Sequence, residues 1–404
     1  MSYICMIVDG SYPNDIRVRK EAEALAENGR KVIVVCPRKR NDKSKETFND
    51  VEVYRIGKNY TTIKKGIYDS IESVFDFNPF FYFGLKKVFK AYTIDYLHVH
   101  DLPLAGTGLL FKSKVKKKVY LDLHENFPES LKTWFVWRRS SIIKIKNALL
   151  MNPKRWSKKE KKYCLKYDKV ICVVEEMKEK LIAKFGIEKE KLVVVSNHEK
   201  KDFTENFNKE IVQDIINTSD FSITYIGGFG PHRGLQTAIS AMPEIVKVIP
   251  NAKLFLVGKG SSDVETKLKE IAATNKAEKY VNFVGYRPFT EVATIMQKSS
   301  LNIIPHVSND HTDNTIPHKL FQIMMSKSLL LVSSCKPLER IVSKFDAGIV
   351  FKANNVLDFI QKVLDIYKHS KAYQYKIDNA YNAVMNEGEN WEHESLKLIK
   401  LYDT

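Results

Sequence analysis

Short apolar runs alternate with longer amphipathic stretches along nearly all of the 404-residue chain. The apolar runs are rich in Val, Ile and Leu and are only as long as strands, which is typical of parallel strands covered on both faces. The stretches between them have helical spacing, as in Val18, Ala22 and Leu25. This alternation predicts doubly wound α/β structure. The predicted strands are Ile4–Val8, Lys31–Val35, Tyr96–Val99, Val119–Leu123, Lys169–Val174, Leu192–Val195, Ile223–Ile226, Lys253–Val257, Val281–Val284, Leu301–Ile304 and Leu329–Val332.

The chain is too long for one ordinary core and is expected to form two or three domains. The strand–helix rhythm breaks near residues 200–220, which are polar and contain no strand-like run. We therefore predict a first Rossmann-like domain over residues 1–205 and a second over residues 206–385. Residues 386–404 are expected to form a C-terminal helix.

Several classes of protein are excluded by composition. No apolar run approaches the roughly 20 residues that a transmembrane helix needs, and the N-terminus lacks the features of a secretory signal. The cysteines are odd in number and form no CxxC pair, which argues against disulfides or a zinc site. We expect a cytoplasmic protein with reduced, buried cysteines.

The formal net charge of +17 predicts an anionic partner. Nucleic acid, a membrane surface and a phosphorylated ligand all have this charge, and a basic surface that only aids solubility is an equally good interpretation. The chain shows no recognition helix and no aromatic RNA-binding signature, so we expect no nucleic-acid partner.

One segment, residues 222–242, has the order strand, glycine-rich turn, helix. Gly227 and Gly228 allow a ligand to approach the backbone closely, and Arg233 stands just before the helix. The N-terminus of a helix offers unpaired amides and a partial positive charge. These features predict a diphosphate site, although glycines after a strand also make simple tight turns.

A second segment, residues 314–334, strengthens this hypothesis. Pro317 stands where a helix should begin, and Asn314 and Thr315 are natural caps ahead of it. Lys319 then falls in the first turn, where a cation is unfavourable beside the helix dipole. A bound anion would remove that conflict; the alternative is a lysine that reaches out to solvent.

Taken in order, the segments resemble family 4 of the retaining glycosyltransferases of the GT-B fold, of the bacterial polysaccharide type. The similar segments are residues 11–35, 98–101, 120–129, 168–181, 191–198, 223–235, 253–260, 281–288, 301–306 and 316–333. The resemblance implies two facing Rossmann-like domains with the active site in the cleft between them, and a last helix that crosses back to the first domain. It also implies transfer of a sugar from a nucleotide-diphosphate donor to a hydroxyl, with retained configuration, in cell-surface polysaccharide synthesis.

The resemblance carries residue roles onto this sequence. Donor-binding roles fall on Gly10, Gly227, Gly228, Arg233, Gly258, Tyr286, Arg287, Asn314, Thr315, Lys319 and Gln322. We expect catalytic roles for His100, Asp122, Arg233 and Lys319, and acceptor-binding roles for His124 and Glu125. The sequence departs from the family at Asn314 and Gln322, where glutamates are usual, and at Gly228, where a cation is usual. These departures leave the donor sugar and base open.

The expected mechanism needs charge stabilisation of the leaving diphosphate, which is usually the largest catalytic term. Arg233 and Lys319 would supply it together with two helix N-termini, so we expect neither a metal nor a cofactor. His98 and His100 lie on one face of a strand but lack a third ligand. We favour a front-side displacement in which the leaving phosphate takes the acceptor proton; for Asp122, the alternative is a turn-capping role.

Residues 80–92 and 134–150 combine aromatic and basic side chains. Such segments suit an anionic membrane surface, so we expect a glycan or polyprenyl-linked acceptor and a peripheral location on the inner face of the cell membrane. The alternative is that these rings fill the core. Two other functions stay open: a nucleotide-sugar epimerase of the same architecture, and a catalytically degenerate scaffold that binds nucleotide sugars.

Overall fold

A computed structural model describes residues 2–58, 60–205, 215–216 and 219–403. The chain divides into two compact units. The first comprises Met1–Leu131, Ile145–Ser196 and Ser395–Thr404, and the second comprises Lys132–Lys144 and Asn197–Glu394. The domain boundary predicted between residues 205 and 206 adjoins residues 206–214, which lie outside the described residues, so it stays a prediction.

The first unit is built on a mainly parallel sheet, in which eight strands are described. They are β1 (Ser2–Ile7), β2 (Val32–Pro37), β3 (Lys45–Phe48), β4 (Val51–Ile56), β5 (Thr93–His100), β6 (Lys118–Leu123), β7 (Lys169–Cys172) and β8 (Leu192–Val194). Their order across the sheet is β3-β4-β2-β1-β5-β6-β7-β8. Only the edge pair, β3 with β4, is antiparallel within this described set.

The second unit is built on a parallel sheet with six described strands. They are β9 (Phe221–Ile226), β10 (Ala252–Val257), β11 (Val281–Gly285), β12 (Leu301–Ile304), β13 (Leu330–Ser333) and β14 (Ile349–Phe351). Their order is β11-β10-β9-β12-β13-β14.

Helices connect successive strands in both units. They are α1 (Ile16–Glu27), α2 (Thr62–Phe75), α3 (Pro79–Ala91), α4 (Ala105–Leu109), α5 (Phe127–Trp134), α6 (Ser141–Leu150), α7 (Pro153–Lys166), α8 (Glu175–Phe185), α9 (Leu235–Val248), α10 (Ser262–Thr274), α11 (Phe289–Lys298), α12 (Lys319–Met325), α13 (Lys336–Lys344), α14 (Val356–Lys368), α15 (Gln374–Met385) and α16 (Trp391–Leu401). Local sequence explains many boundaries. The Asp15 side chain caps α1 by accepting from the Val18 amide, and α7 begins with a capping Asn152 followed by Pro153.

Each sheet has one point at which the strand order reverses direction. In the first sheet the chain moves outward in opposite directions from β1 and β5, and in the second sheet from β9 and β12. Ligands of open α/β sheets bind beyond the carboxyl ends of the strands at such a switch point. The loops that follow these four strands are therefore the places to look for function.

The prediction of two Rossmann-like α/β domains is confirmed, and each of the eleven predicted strands has a counterpart. The sequence analysis missed β3, β4 and β14. β3 is a charged edge strand with the sequence KETF, and β14 has the apolar sequence IVF but only three residues, too few to stand out as a strand. β4 alternates buried and half-buried residues, a pattern of period two that a search for continuous apolar runs passes over.

The core of each unit lies between its sheet and its helices, and it holds residues of the predicted strands at close to zero exposure. All five cysteines are buried and free, as predicted. The last residues of the chain pack on the first sheet, where the Tyr402 hydroxyl lies 2.6 Å from His98 Nδ1 and the Tyr120 hydroxyl donates to the Leu401 carbonyl at 2.7 Å.

Among the described helices, none has the length and apolar character needed to cross a membrane.

Two glycines with similar backbones provide a matched test of the second unit's packing. Gly234 (φ +69°) and Gly186 (φ +67°) both have left-handed backbones. A Cβ at Gly234 would stand 1.6 Å from the Pro305 carbonyl oxygen, whereas a Cβ at Gly186 would meet nothing within 4 Å. Gly186→Ala should therefore cost only the backbone strain of about 1 kcal/mol. Gly234→Ala should cost roughly 1–3 kcal/mol more, because β12 and α9 must separate.

Urea denaturation of both variants measures this difference. Equal losses of stability in the two variants would contradict the close approach of Gly234 to Pro305.

Candidate active site

Three glycines meet at one edge of the second sheet. Gly227, Gly258 and Gly285 follow or end the neighbouring strands β9, β10 and β11. The Gly227 amide donates to the Val257 carbonyl at 2.9 Å, and the Gly258 amide donates to the Gly285 carbonyl at 2.8 Å. A Cβ at Gly258 would lie 2.1 Å from the Gly227 oxygen. The carboxyl ends of these strands are therefore lined by backbone atoms without side chains, and a phosphate-bearing ligand can approach such a surface closely.

Lys319 places a buried amine beside this edge. Its residue is 9% exposed, and its Nζ lies 3.7 Å from the centre of the Tyr225 ring. The same Nζ is 2.7 Å from the position of a Cβ at Gly227, so only glycine leaves room for it there. Within the part of the chain that the structure describes, this nitrogen has no hydrogen-bond partner. Burial, followed by the charge of Arg233, lowers the pKa of Lys319 well below its usual value.

Arg233 closes the turn that follows β9, and its Nη1 lies 3.2 Å from His306 Nε2 at the end of β12. Burial, reinforced by Arg233 and Lys319, holds the pKa of His306 well below its usual range, so His306 is a neutral acceptor for the guanidinium. Burial and the same two cations lower the pKa of His232 to about 2. The switch point of the second sheet thus carries a positive potential that suits an anion.

The loop before α12 differs from the expectation in its details. α12 begins at Lys319 and has no side-chain cap, so the prediction that Asn314 and Thr315 cap it is wrong. Asn314 Nδ2 instead donates to the Asp310 carbonyl at 2.7 Å, and the Thr315 hydroxyl donates to the His311 carbonyl at 3.2 Å. The physical reason is that a short 3-10 turn, Thr312–Asn314, takes up both side chains before the helix starts.

Gln322 lies one turn into α12 and is buried. Its Nε2 donates to Glu199 Oε2 at 2.7 Å. A carboxylate is therefore present beside Gln322, supplied by a different segment of the same unit. Glu199 was not among the residues predicted from the sequence, because nothing in its local pattern distinguishes it.

The remaining donor-side residues lie at the same edge with more exposure. Gly228 is exposed, and its carbonyl accepts a hydrogen bond from the Tyr225 hydroxyl at 2.8 Å. Tyr286 is 70% exposed, and Arg287 faces Glu291 at 3.8 Å. The structure thus places the predicted donor-side residues of the second unit near the ends of β9, β10, β11 and β12 and the start of α12.

The first unit has a charged network at the ends of β5 and β6. Arg17 donates to both oxygens of Asp122, at 3.1 and 2.9 Å, and forms an ion pair with Glu21 at 3.0 Å. Burial opposes ionisation of Asp122, but Arg17 and His124 hold its pKa well below the usual range. Burial opposes the charge of His124 as well, yet Asp101 and Asp122 raise its pKa to about 10.

His100 is fully buried and lies on the interior side of this network. Its Nδ1 is 3.0 Å from His124 Nε2 and 3.3 Å from Asp122 Oδ2. The groups that open toward solvent are His124, with 15% of its side chain exposed, and Asp101, with 40%. The structure therefore brings the predicted residues His100, Asp122 and His124 together with Asp101, which the strand-end rule for open α/β sheets also indicates from the sequence. It adds Arg17 and Glu21, which were not predicted from the sequence.

Gly10 and Glu125 occupy the loops beside this network. Gly10 follows β1, and a Cβ there would lie 3.3 Å from Asp15 Oδ2. Glu125 is half-buried in the turn after β6. The catalytic, donor-binding and acceptor-binding roles expected for all these residues remain predictions.

One group of described residues offers ligand atoms that are close enough together for a metal ion. Glu21, His98, His100 and Asp122 each contribute one such atom within 4.8 Å of the others. The guanidinium of Arg17, however, already pairs with both carboxylates of this group. We interpret the cluster as a buried ion-pair network, because a second cation would compete with Arg17 for the same oxygens.

The two parallel-sheet α/β units and the matches of both halves of the chain to family models identify a glycosyltransferase of the GT-B type. The chain belongs to glycosyltransferase family 4: residues 16–198 match the model described as Glycosyltransferase Family 4, and residues 206–383 match that of Glycosyl transferases group 1. This confirms the resemblance on which the sequence analysis relied. A comparison with curated proteins gave no match.

Solved structures agree with this classification at the level of fold. Sucrose-phosphate synthase from Thermosynechococcus elongatus is similar with a TM-score of 0.79 and 16% identity, over 100% of this chain and 98% of that one. Anabaena Alr3699/HepE in complex with UDP and glucose has a TM-score of 0.72 and 12% identity, over 100% of both chains. WaaG, a glycosyltransferase involved in lipopolysaccharide biosynthesis, has a TM-score of 0.69 and 12% identity, over 98% of this chain and 99% of that one.

If Lys319 is kept for an anion, its removal should stabilise the free protein. Lys319→Met removes a buried donor that lacks a partner and keeps the apolar contact with Tyr225. We expect the free energy of unfolding to rise by about 1 kcal/mol, since an unsatisfied buried donor costs roughly 1–3 kcal/mol and the lost cation–π contact offsets part of that gain.

Lys327→Met is the matched control, because Lys327 is exposed and lies 4.1 Å from the Tyr381 ring centre. Chemical denaturation without ligand measures both variants. Destabilisation of Lys319→Met by more than the control would contradict a ligand-binding role and favour a structural one.

Proposed function

We propose that the protein transfers a sugar from a nucleotide-diphosphate donor to a hydroxyl of a glycan or lipid-linked glycan, with retention of configuration, in the synthesis of a cell-surface polysaccharide. The observation that carries the proposal is Lys319, a buried amine without a hydrogen-bond partner among the described residues, next to Arg233 and a glycine-only edge. A diphosphate is the anion that fits this combination of charge and bare backbone.

The same two side chains account for the chemistry. When the bond between sugar and phosphate breaks, negative charge develops on the leaving diphosphate. Cations that are already oriented toward that charge lower the barrier without reorganisation. Arg233 is held by His306, and Lys319 is held over Tyr225, so both are oriented before the donor binds. Because these side chains supply the charge, we propose that the transfer needs no metal ion.

Retention is proposed to follow a front-side displacement, in which the leaving phosphate accepts the proton of the attacking hydroxyl. A double displacement would need a carboxylate nucleophile. The sequence offers Asp122 and Glu125 for this role but no matched pair, and Asp122 is fully buried and bonded through both oxygens to Arg17. That engagement leaves it poorly suited to attack a sugar carbon.

The choice of nucleotide and of acceptor class draws on the structural relatives. The Anabaena protein is in complex with UDP and glucose, so UDP is the first nucleotide to test on this chain. WaaG is involved in lipopolysaccharide biosynthesis, which supports a glycan of the cell surface as the acceptor.

A nucleotide screen with an arginine variant tests the donor site. We expect UDP, ADP or GDP to raise the melting temperature of the wild type, since a ligand at 100 times its dissociation constant adds about 2.7 kcal/mol of stability. Arg233→Met should remove most of this stabilisation and lower turnover at least about tenfold, which is roughly 1.4 kcal/mol of barrier. Arg139→Met is the control, because Arg139 is exposed and pairs only with Glu270 among the contacts described for it.

The outcomes separate the proposal from its rivals. Full nucleotide stabilisation of Arg233→Met would contradict the donor site. Stabilisation of the wild type without transfer or hydrolysis would favour a degenerate scaffold, and conversion of the donor sugar without an acceptor would favour an epimerase.

We further propose that the first unit contacts an anionic membrane through an apolar surface on α2 and α6. Ile63, Ile67 and Val74 lie on one exposed stripe of α2, and Ile145 and Leu149 are exposed on α6. The two helices meet where the Ser73 hydroxyl contacts the Leu150 carbonyl. Lys64 and Lys154 lie close to these residues in the chain, are exposed, and would attract anionic headgroups.

This surface overlaps only in part with the one expected from sequence, because Ile145 and Leu149 lie within residues 134–150 but α2 was not predicted. In residues 80–92, Phe81 is fully buried and Phe89 packs 4.9 Å from Phe111, whereas Phe83 is 60% exposed. Trp137 packs against the core of the second unit. The aromatic pattern overestimated exposure because core and interfacial rings look alike in sequence.

Flotation with phosphatidylglycerol vesicles tests the membrane proposal. We expect the wild type to float at low salt and to detach partly at high salt, because screening weakens the lysine contribution. The double variant Ile63→Ser, Ile67→Ser should float less than the control Leu357→Ser, which removes a 72% exposed leucine of the second unit. Equal flotation of the two variants would rule out this surface.

A further inference from the structure

Asp101 is the one solvent-facing carboxylate described in the charged network of the first unit. Moving outward, the exposed fraction of the side chains is 5% for Arg17, 0% for Asp122, 15% for His124 and 40% for Asp101. The charges alternate along this series, so each group stabilises the next one. The network therefore ends in a single anion that is presented to solvent.

The position of Asp101 in the sheet is the one at which ligands bind. It follows β5 directly, and β5 lies beside β1 at the point where the strand order reverses. Loops at the carboxyl ends of such strands form the ligand crevice of open α/β sheets. This placement is independent of any resemblance between sequences.

Asp101 is also held in a conformation that a non-glycine residue rarely adopts. Its φ is +67°, and its amide donates to the Asp122 carbonyl at 2.8 Å. Its Oδ1 accepts from the His124 amide at 3.3 Å, and its Oδ2 lies 3.4 Å from His124 Nδ1. These contacts on both sides of the residue orient the carboxylate, and they are long enough to leave it capacity for a further donor.

We propose that Asp101 binds and orients the hydroxyl that attacks the donor sugar, and that His124 is the residue that positions it. The Asp101 carboxylate accepts a hydrogen bond from the O–H of the acceptor sugar or, when no acceptor is present, of a water molecule. No proton transfer to Asp101 is required. This inference rests on the proposed function, since it assigns the nucleophile side of the same reaction.

Asp101→Asn separates this role from a structural one. Asparagine tolerates a positive φ, and its side-chain oxygen can still accept from the His124 amide. The variant therefore keeps the turn and loses only the negative charge that aligns the hydroxyl. Asp50→Asn is the matched control, since Asp50 is exposed and has a φ of +60° in the same unit.

The readout is nucleotide release from UDP-glucose, ADP-glucose and GDP-mannose, measured with protein in excess over the donor so that a single slow turnover is detected. We expect Asp101→Asn to slow hydrolysis at least about tenfold, with the thermal shift given by UDP, ADP or GDP unchanged. His124→Gln should slow it as well, and adding it to Asp101→Asn should cost little more, because one residue acts through the other.

Normal hydrolysis by Asp101→Asn would overturn the inference, and so would additive losses in the double variant or a wild type that binds nucleotide but releases none from the donors. Loss of the nucleotide thermal shift in the wild type itself would instead contradict the proposed function. The two failures are therefore distinguished by separate measurements.

Discussion

The burial of Lys319 without a hydrogen-bond partner among the described residues is the constraint on which the functional account depends. Removing an amine from water is unfavourable unless something compensates, and the charges that act on Lys319 from Arg233 increase the cost. The fold nevertheless keeps both groups at the switch point of the second sheet, where glycines keep the neighbouring backbone bare. An arrangement of this kind lowers the stability of the free protein, and for this reason we propose that a bound anion supplies the compensating charge.

In the first unit, by contrast, the buried cation is paired with carboxylates. Its buried cation, Arg17, is fully engaged by Asp122 and Glu21, and the adjacent His124 is held between two carboxylates. Because its cations are already paired with carboxylates, this network does not favour binding of an anion. Its exposed carboxylate accepts hydrogen bonds. The roles proposed for the two units follow from this difference: phosphate binding by the cations of the second unit, and hydroxyl binding by the exposed carboxylate of the first.

Most of the fold could be predicted from the sequence, because parallel strands buried on both faces appear in it as continuous apolar runs. It failed for β3, an edge strand with charged residues, for β4, which alternates buried and half-buried residues, and for β14, which has only three residues. At the donor site, Gly227, Arg233 and Lys319 could be selected because glycine-rich turns and helix starts have local signals. Glu199 could not be, since its importance comes from its contact with Gln322, which is distant in the chain. His306 and Asp101 are strand-end residues that the sequence indicates, but their contacts with Arg233 and His124 exist only in the folded chain.

Calorimetry of nucleoside diphosphate binding, repeated in buffers with different ionisation enthalpies, tests the central claim most directly. Lys319, His232 and His306 have pKa values lowered by burial and by neighbouring cations. A diphosphate bound among them raises those pKa values, so the account predicts net proton uptake by the protein when binding is measured at a pH where the terminal phosphate of the free nucleotide is already fully ionised. Binding without any proton uptake, or with proton release, would contradict the placement of the diphosphate beside Lys319.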